Sequence, residues 1–454
     1  MTQLFLACSG ADRDPENAMR WLGTSIAHLF TLDSDSGTLT SVGTTAVGCN
    51  AMSASQVPRA ADADGSSSAT ATTLVFTDMA DPHAVGAGGV ALYTASAEDG
   101  VKLSSAAEVT FADAGGRSPC AVEVCPLNSV SSAVHLAAVA CYEGRGTDAD
   151  GVVSLVGIER SSSAAPWSFA TTSASASWGA PLAVASHADL GGATAGEGRQ
   201  DAAHPHGVTW WVPGDGAEEL ILFVADLGAN AVVAYAVAAS DGSFGLVRRA
   251  VCMLHAGAGP RHMVLLGGGV DGSSSATTTL VVVNELDNTI VPITVHRGGA
   301  EVTMSAGAAL STLPLDFDMS RAPPFDFYTA PSHACAIVKD GALLYVSNRG
   351  DDSVATFSVG GGGGGGADDD EDGAARIALL GHTYTAPGRL PWDLALDRSG
   401  KWAAVSSQFD AELSKAGGSV AIFARQGSSA LAAMGGGSTG AVCVPNVLLT
   451  RFLL

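Results

Sequence analysis

The chain has 454 residues and is strongly acidic, with 45 aspartates and glutamates against 22 lysines and arginines and a formal net charge of −23. Such a charge argues against partners that are themselves negative, namely nucleic acids and anionic membrane surfaces. Because 47% of the residues are hydrophobic, the chain has ample material for a large buried core.

The sequence carries few signs of export or membrane insertion. Its first residues, MTQLFLACSGADRD, lack the basic region and long apolar stretch of a signal peptide. No apolar run approaches the roughly 18–20 residues that a membrane-spanning helix needs. The eight cysteines are scattered without a C-x-x-C spacing, which indicates reduced thiols and no dedicated zinc site. We therefore expect a cytoplasmic protein.

One β-strand pattern recurs along the chain, whereas helical periodicity is nearly absent. Each copy has an apolar strand, a short polar turn with Gly, Asn or Asp, and a second alternating strand. In chain order, the copies cover residues 4–43, 73–96, 135–159, 220–245, 279–296, 343–359 and 402–425. Seven similar all-β units predict a single seven-bladed β-propeller domain spanning residues 1–454. A pair of β-sandwiches is the alternative, but it would not require seven similar units.

The repeats are longer than a compact propeller blade. They recur at roughly 60–85 residues, whereas a four-stranded blade needs roughly 40–50. The excess lies in Ser-, Ala-, Gly- and Asp-rich stretches, which we place in surface loops at about 60–72, 160–180 and 360–373.

Closure of the propeller requires a strand from one terminus to complete a blade begun by the other. The apolar stretches at 3–8 and 440–449 are the candidates.

Polar side chains fall at comparable points of successive repeats. His206 precedes the strand VTWWV, and Arg261 takes the equivalent position one repeat later. Asp226, Glu285 and Arg349 each follow an apolar strand, in three consecutive repeats. Because equivalent points of successive blades lie at the same end of the central channel, these side chains should converge there.

Three other stretches are poor candidates for a site. The G-x-S-x-G match at 436–440 lacks the helix that follows a nucleophile elbow. The seven glycines at 360–366 lack the Lys-Ser/Thr of a phosphate loop, and the acidic run at 368–372 is typical of a solvated loop.

Six motifs in order carry a resemblance to a known family: HPHGV, VADLGANAVVAY, GAGPRHM, NELDNTI, STLPLDF and YVSNRGDDSVATF. Between about residues 199 and 425 the chain resembles the seven-bladed β-propeller form of 6-phosphogluconolactonase. That family is related to the fungal enzyme that cyclises 3-carboxy-cis,cis-muconate. The resemblance implies active-site positions at His206, Arg261, Glu285 and Arg349. The family's last-blade motif G-x-P-R-D-F is displaced and altered here, so no role carries over to Arg389.

The resemblance implies hydrolysis of 6-phospho-D-glucono-1,5-lactone to 6-phosphogluconate, in the oxidative pentose phosphate pathway. This reaction needs an activated water, stabilisation of the carbonyl oxyanion and a group that holds the phosphate. His206 or Glu285 can accept the proton of the water, and Arg261 and Arg349 can bind the oxyanion or the phosphate. Asp226 is a further candidate for substrate binding. We expect no metal and no other cofactor, because the lactone ester is already activated.

Two other functions stay open. The same relatives suggest lactonising isomerisation of a carboxy-muconate, in which the arginines would hold carboxylates. A non-catalytic propeller that binds proteins belongs to another class, and the long insertions favour it. The retained residues at the four family positions and the absence of a G-H…W-D signature favour an enzyme.

Overall fold

The computed structural model of the protein is almost entirely β-strand. The residues that it describes are 2–9, 12–14, 17–22, 25–47, 51–58, 71–79, 88–96, 102–105, 111–126, 134–160, 167–170, 179–193, 198–212, 220–240, 243–268, 275–321, 330–360, 376–386, 388–397, 399–410, 417–425, 431–433, 441–444 and 447–453. The predicted loop insertions fall largely outside these ranges, as does the G-x-S-x-G match at 436–440.

The described strands form seven sheets of four or five strands around an axis, which confirms the predicted seven-bladed β-propeller. Each sheet is one blade, numbered along the chain, and the strands that follow are given from the centre outwards. Blade 1 contains Val447–Phe452, Thr2–Ser9, Ile26–Asp33 and Leu39–Ala46. Blade 2 contains Ala54–Gln56, Ala71–Asp78 and Gly89–Ser96, with Lys102–Ser105 and Phe111–Asp113 outermost. Blade 3 contains Arg117–Val124, Val134–Glu143 and Val152–Glu159, with Ser168–Phe169 and Ala183–Ser186 outermost.

The remaining four blades follow in chain order. Blade 4 contains Pro205–Trp211, Leu220–Asp226, Ala231–Ser240 and Ser243–Met253. Blade 5 contains Pro260–Gly268, Ser275–Asn284 and Thr289–Gly298, with Glu301–Ala306 and Leu310–Ser311 outermost. Blade 6 contains His333–Asp340, Leu343–Arg349, Ser353–Gly360 and Arg376–Tyr384. Blade 7 contains Gly388–Leu396, Trp402–Asp410 and Gly418–Arg425, with Leu431–Ala433 and Ala441–Val444 outermost.

Two short elements lie outside the blades. Asp12–Asp14 and Asn17–Leu22 form a hairpin within blade 1's connection, and Gly198–Gln200 forms one turn of 3-10 helix before blade 4. Over the described ranges, the structure contains no helix of the length and hydrophobicity that crossing a membrane requires.

Each sequence repeat supplies the two middle strands of one blade, and the hydrophobic core lies between the blades. Because side chains alternate along a strand, one strand serves two cores. In blade 2, Leu74 and Phe76 pack against blade 1, whereas Val75 between them packs against blade 3. The same arrangement repeats around the ring in seven clusters. The middle strands are therefore apolar on both faces, as in the strand Leu220–Asp226, which is buried throughout.

The ring is closed by strands from the two ends of the chain. The innermost strand of blade 1, Val447–Phe452, pairs antiparallel with Thr2–Ser9 and places Phe452 opposite Phe5. This confirms the N-terminal candidate, but the C-terminal candidate at 440–449 was only partly right. Its first part, Ala441–Val444, instead pairs with Gly418–Arg425 at the outer edge of blade 7.

A β-bulge recurs near one end of the inner strands. The extra residue of each bulge has no partner in the neighbouring strand, and such a residue leaves the regular alternation of side chains. The bulged residues are Cys120 in blade 3, His206 in blade 4, Arg261 in blade 5, Cys335 and Ala336 in blade 6, Trp392 in blade 7 and Leu448 in blade 1. Three of them, Cys335, Trp392 and Leu448, pack together in one cluster, so the bulges of neighbouring blades converge.

The closure of the ring can be tested at Phe452. Its ring lies 4.9 Å from that of Phe5, and both side chains are buried between blades 1 and 7. We expect Phe452→Ala to lower the free energy of unfolding by about 3 kcal/mol, because it removes a large buried side chain from the closing strand. Leu315→Ala is the control, since Leu315 is fully exposed and its truncation should change stability by less than about 0.5 kcal/mol. Denaturant unfolding followed by tryptophan fluorescence measures both. Equal effects of the two substitutions would contradict the closing role.

Candidate functional site

Glu285 is the centre of a buried group of charges. It follows the second strand of blade 5, and its side chain is 1% exposed. Three guanidinium groups surround its carboxylate. Arg199 binds both oxygens, with Nη1–Oε1 and Nη2–Oε2 distances of 2.7 and 3.1 Å. The Nε of Arg261 lies 3.2 Å from Oε2, and Nη2 of Arg349 donates to Oε1. We call these four side chains the arginine cluster.

The backbone around Glu285 is held by a neighbouring turn. The Glu285 amide donates to the carbonyl of Gly259, which precedes the inner strand of the same blade. Gly259 has φ of +63°, and a Cβ there would lie 2.4 Å from Cγ of Leu286. Only glycine suits both conditions. The Gly259-Pro260-Arg261 stretch thus positions Arg261 and Glu285 together.

The arginine cluster carries a net positive charge in an acidic protein. Three guanidiniums share one carboxylate, so the four side chains together have a charge of +2, because arginine stays protonated in proteins. Arg261 and Arg349 are buried as well, with side chains 4% and 0% exposed. Burying charge is costly unless counter-charges and hydrogen bonds compensate it. A buried cationic cluster of this kind is therefore suited to binding an anion.

The arginines also determine the protonation of Glu285. Burial alone would raise the pKa of its carboxyl group. The guanidiniums of Arg199, Arg349 and Arg261 outweigh this effect and hold the pKa well below its usual range. Glu285 is accordingly ionised at neutral pH and has little tendency to accept a proton.

His206 lies beside the cluster and, like Glu285, is deprotonated at neutral pH, which leaves its imidazole uncharged. Burial, and secondly the positive charge of Arg261, lowers the pKa of its imidazole well below the usual value. Its ring lies 5.8 Å from that of His262, whose pKa burial also lowers. Among the residues that the structure describes, Nδ1 of His206 has no hydrogen-bond partner. The neutral ring can therefore accept a proton.

An apolar wall adjoins the arginine cluster on the side of blades 6, 7 and 1. Trp392 is its largest member, and Cys335 and Leu448 pack against it. Cζ of Arg349 lies 4.4 Å and Cζ of Arg261 5.5 Å from the centre of the Trp392 ring. Both guanidiniums thus contact an aromatic face, which stabilises them by cation–π attraction. The backbone carbonyl of Cys335 also accepts a hydrogen bond from Nη1 of Arg261, at 2.9 Å.

The structure brings four of the predicted site residues together and sets one apart. Arg261, Glu285 and Arg349 are in direct contact, and His206 is their neighbour. Asp226 is fully buried, and its carboxylate binds Nδ1 of His187 at 2.7 Å and the amides of His204 and Ala229 at 2.7 and 2.8 Å. These contacts give Asp226 a structural role in the turn, and its contact with substrate stays a prediction.

Two further polar residues, Arg389 and His204, have their contacts elsewhere. Arg389 is exposed, with its Nε 3.0 Å from Oδ2 of Asp352, so the structure gives it no place in the arginine cluster. His204 stacks on the ring of Tyr142 at 3.9 Å and bonds the Tyr142 carbonyl. Both contacts are those of residues that support the fold.

Sequence reasoning missed Arg199 and Trp392. Arg199 belongs to the single 3-10 turn before blade 4, outside every strand, so strand periodicity could not place it. Trp392 follows Pro391 in the altered last-blade motif, as His206 follows Pro205 and Arg261 follows Pro260, and this shared pattern was the available signal. Within the described ranges, no group of three or more His, Cys, Asp or Glu side chains is arranged to hold a metal ion.

Comparisons with known proteins identify the family. The family model of the lactonases with a seven-bladed β-propeller matches residues 83–434. A 6-phosphogluconolactonase of Formosa agariphila is 26% identical over 216 residues, 47% of this chain and 50% of that protein. An uncharacterized protein of Staphylococcus epidermidis is 30% identical over 161 residues, 36% of this chain and 38% of that one. The alignments thus span half or less of these relatives' lengths.

A solved structure agrees with these matches at the level of the fold. The crystal structure of a protein from Lactobacillus plantarum aligns over 100% of both chains with a TM-score of 0.64 and 21% sequence identity. A likeness at this identity shows the propeller architecture alone. Because the family model covers most of the chain, the protein belongs to the family of seven-bladed β-propeller lactonases.

Proposed function

We propose that the protein hydrolyses an anionic lactone, with 6-phospho-D-glucono-1,5-lactone as the first candidate substrate and 6-phosphogluconate as the product. The observation that carries this proposal is the juxtaposition of a buried cationic cluster and a buried neutral histidine. Membership of the lactonase family supports ester hydrolysis, and a relative named 6-phosphogluconolactonase supports the phosphorylated sugar. The scattered cysteines favour a cytoplasmic setting. A place in the pentose phosphate pathway follows from the proposed substrate alone.

In the proposed reaction, His206 is the general base. It takes a proton from water while the water oxygen bonds to the lactone carbonyl carbon, and the carbonyl π electrons move to the oxygen. The tetrahedral intermediate then collapses, the ring C–O bond breaks, and the ring oxygen takes the proton back from His206. The pKa values of both groups are lowered, but Glu285 is the poorer base because an ordinary carboxylate is already less basic than an imidazole.

The arginines stabilise the negative charges of this reaction. Arg261 is adjacent to His206, so its guanidinium is the better placed of the two predicted arginines to hold the oxyanion. Arg349 lies on the far side of Glu285 and supplies charge for the anionic substituent. Glu285 then acts as the fixed counter-ion that orients the guanidiniums of Arg261 and Arg349.

The apolar wall favours a second candidate, lactonisation of 3-carboxy-cis,cis-muconate. The wall of Trp392, Cys335 and Leu448 offers few groups for the hydroxyls of a sugar. A carboxy-muconate has a planar unsaturated backbone without hydroxyls, and its carboxylates would bind the arginines. Incubating the protein with this compound and following the loss of its ultraviolet absorption tests the second candidate. If neither substrate reacts, a non-catalytic protein-binding propeller becomes the better hypothesis.

The lactonase proposal predicts that His206→Gln and Arg349→Met each abolish most hydrolysis of freshly prepared 6-phosphogluconolactone. Loss of the base should lower the rate by about 10²- to 10⁴-fold. Methionine is chosen at position 349 because that side chain is completely buried, so a smaller residue would leave a cavity. Acid release is measured against the spontaneous rate.

Arg389→Met is the matched control, because Arg389 is an exposed arginine outside the cluster. It should hydrolyse the lactone like the wild type. Wild-type acceleration that survives both site substitutions would contradict the assignment, provided that circular dichroism shows all variants folded.

A second prediction concerns the pH at which His206 gains a proton. Burial and Arg261 disfavour the charged imidazole, so His206 should stay neutral as the pH falls through about 6.5, the ordinary value for histidine, and protonate only at lower pH. The proton-accepting form is then fully present at neutral pH and is lost only in acid. Nitrogen-15 NMR of labelled histidine rings measures this, and His206→Gln assigns the signal.

Arg261→Met provides the comparison. Removing the neighbouring positive charge should raise the pKa of His206 relative to the wild type. Half-protonation of the wild-type ring at or above pH 6.5 would contradict the prediction, as would a signal that Arg261→Met leaves unshifted.

A further inference from the structure

Arg199 differs from the other two arginines of the cluster in its exposure. Its side chain is 21% exposed, whereas those of Arg261 and Arg349 are 4% and 0% exposed. It comes from the single 3-10 turn Gly198–Gln200, in the connection that precedes the inner strand of blade 4. A molecule that approaches the cluster from solvent therefore meets Arg199 before the two buried guanidiniums.

Arg261 and Arg349 are held in place by the propeller itself. Arg261 occupies the bulge of an inner strand, and its Nη1 donates to the backbone carbonyl of Cys335 at 2.9 Å. Arg349 ends the second strand of blade 6, and its guanidinium lies on the ring of Trp392. Neither side chain can leave Glu285 without losing contacts to the strands around it.

The turn that carries Arg199 is anchored by the neighbouring residue. Nε2 of Gln200 donates to the carbonyl of Leu227 at 2.9 Å and to Oδ1 of Asn230 at 2.7 Å, and the Gln200 side chain is buried. The backbone at position 199 is thereby fixed to blade 4. A change of partner at this position is accordingly a movement of the Arg199 side chain, which also interacts with the side chain of Tyr142.

When Arg199 releases Glu285, the buried carboxylate still has two positively charged partners. Its two oxygens keep Arg349 on Oε1 and Arg261 beside Oε2, so the buried carboxylate is still paired. The fork of an arginine that fits both oxygens of a carboxylate fits two oxygens of a phosphate equally well. Exchange of Glu285 for a ligand oxyanion therefore replaces one charge-assisted pair by another of similar strength.

We infer that Arg199 is the residue that selects the anionic group of the substrate, by exchanging Glu285 for the oxygens of that group. This inference rests on the proposed function and adds to it a residue that determines specificity. Arg199 acts on the substituent remote from the lactone carbonyl, so its contribution is to binding and not to the bond-breaking step. The chemical class that it recognises is an oxyanion, either a phosphate monoester or a carboxylate.

The first test uses calorimetric titration of the full chain with inorganic phosphate, and separately with malonate, so that the two sources of oxyanion are distinguished. Arg199→Met should weaken binding of the preferred anion by about 10- to 100-fold, because a charge-assisted bidentate pair is lost. Arg199→Lys, which keeps the charge but not the fork, should restore part of the affinity. Arg389→Met should bind like the wild type. An Arg199→Met variant that binds both anions as the wild type does would overturn the inference.

The second test separates selection of the anion from catalysis. With 6-phosphogluconolactone, Arg199→Met should raise KM by about 10- to 100-fold and change kcat by less than about 3-fold. The ratio of kcat/KM for this substrate to that for uncharged D-glucono-1,5-lactone should fall by a similar factor. A fall in kcat with an unchanged KM, or an equal loss with both lactones, would overturn the inference.

The two tests also distinguish failure of the inference from failure of the proposed function. Binding of phosphate or malonate does not depend on turnover, so a wild type that binds an anion through Arg199 but opens neither lactone would reject lactone hydrolysis alone. A wild type that opens the phosphorylated lactone with full dependence on His206 but no dependence on Arg199 would reject the inference alone.

Discussion

The antiparallel pairing of Val447–Phe452 with Thr2–Ser9 is the contact on which the circular architecture depends. A propeller blade buries both of its faces only when it has a neighbour on each side, so an open row of seven blades would leave two apolar faces in water. Joining the chain ends within blade 1 removes both exposed faces at once. It also completes the ring of inner strands, whose bulges stand side by side and bring His206, Arg261 and Trp392 to one region.

The chemistry of the site depends on buried charges of opposite sign that lie in contact with one another. The protein as a whole is negative, yet it surrounds one buried carboxylate with three guanidiniums from three separate segments. The guanidiniums keep Glu285 ionised despite its burial, whereas burial, aided by Arg261, keeps His206 neutral in the same small region. Both pKa values are lowered, so a charged carboxylate lies beside a neutral imidazole, and perturbed pKa values of this kind cluster at functional sites. The negative exterior makes the cationic cluster a distinct place for an anion to bind.

Much of this organisation could be predicted from the sequence, because it rests on patterns that repeat. The recurring apolar strands predicted the seven blades. The equivalent positions in successive repeats predicted that His206, Arg261, Glu285 and Arg349 meet at one end of the channel. Strand position does not determine where a side chain points once a turn begins. Asp226 has the strand-end position of its blade but turns to His187 and to backbone amides. Arg199 comes from a connection without periodicity, so only the three-dimensional structure could bring it to Glu285.

The closing strand also has a consequence for synthesis of the chain. Blades 2 to 7 each consist of strands that follow one another in sequence, so each can assemble as its residues leave the ribosome. Blade 1 cannot, because its three N-terminal strands wait for a central strand that is made after all other blades. Until then Thr2–Ser9 presents an unpaired backbone edge, of the kind that recruits strands from other molecules. Blade 1 is begun before the other blades and completed after them, and during that interval its unpaired edge favours aggregation of the nascent protein.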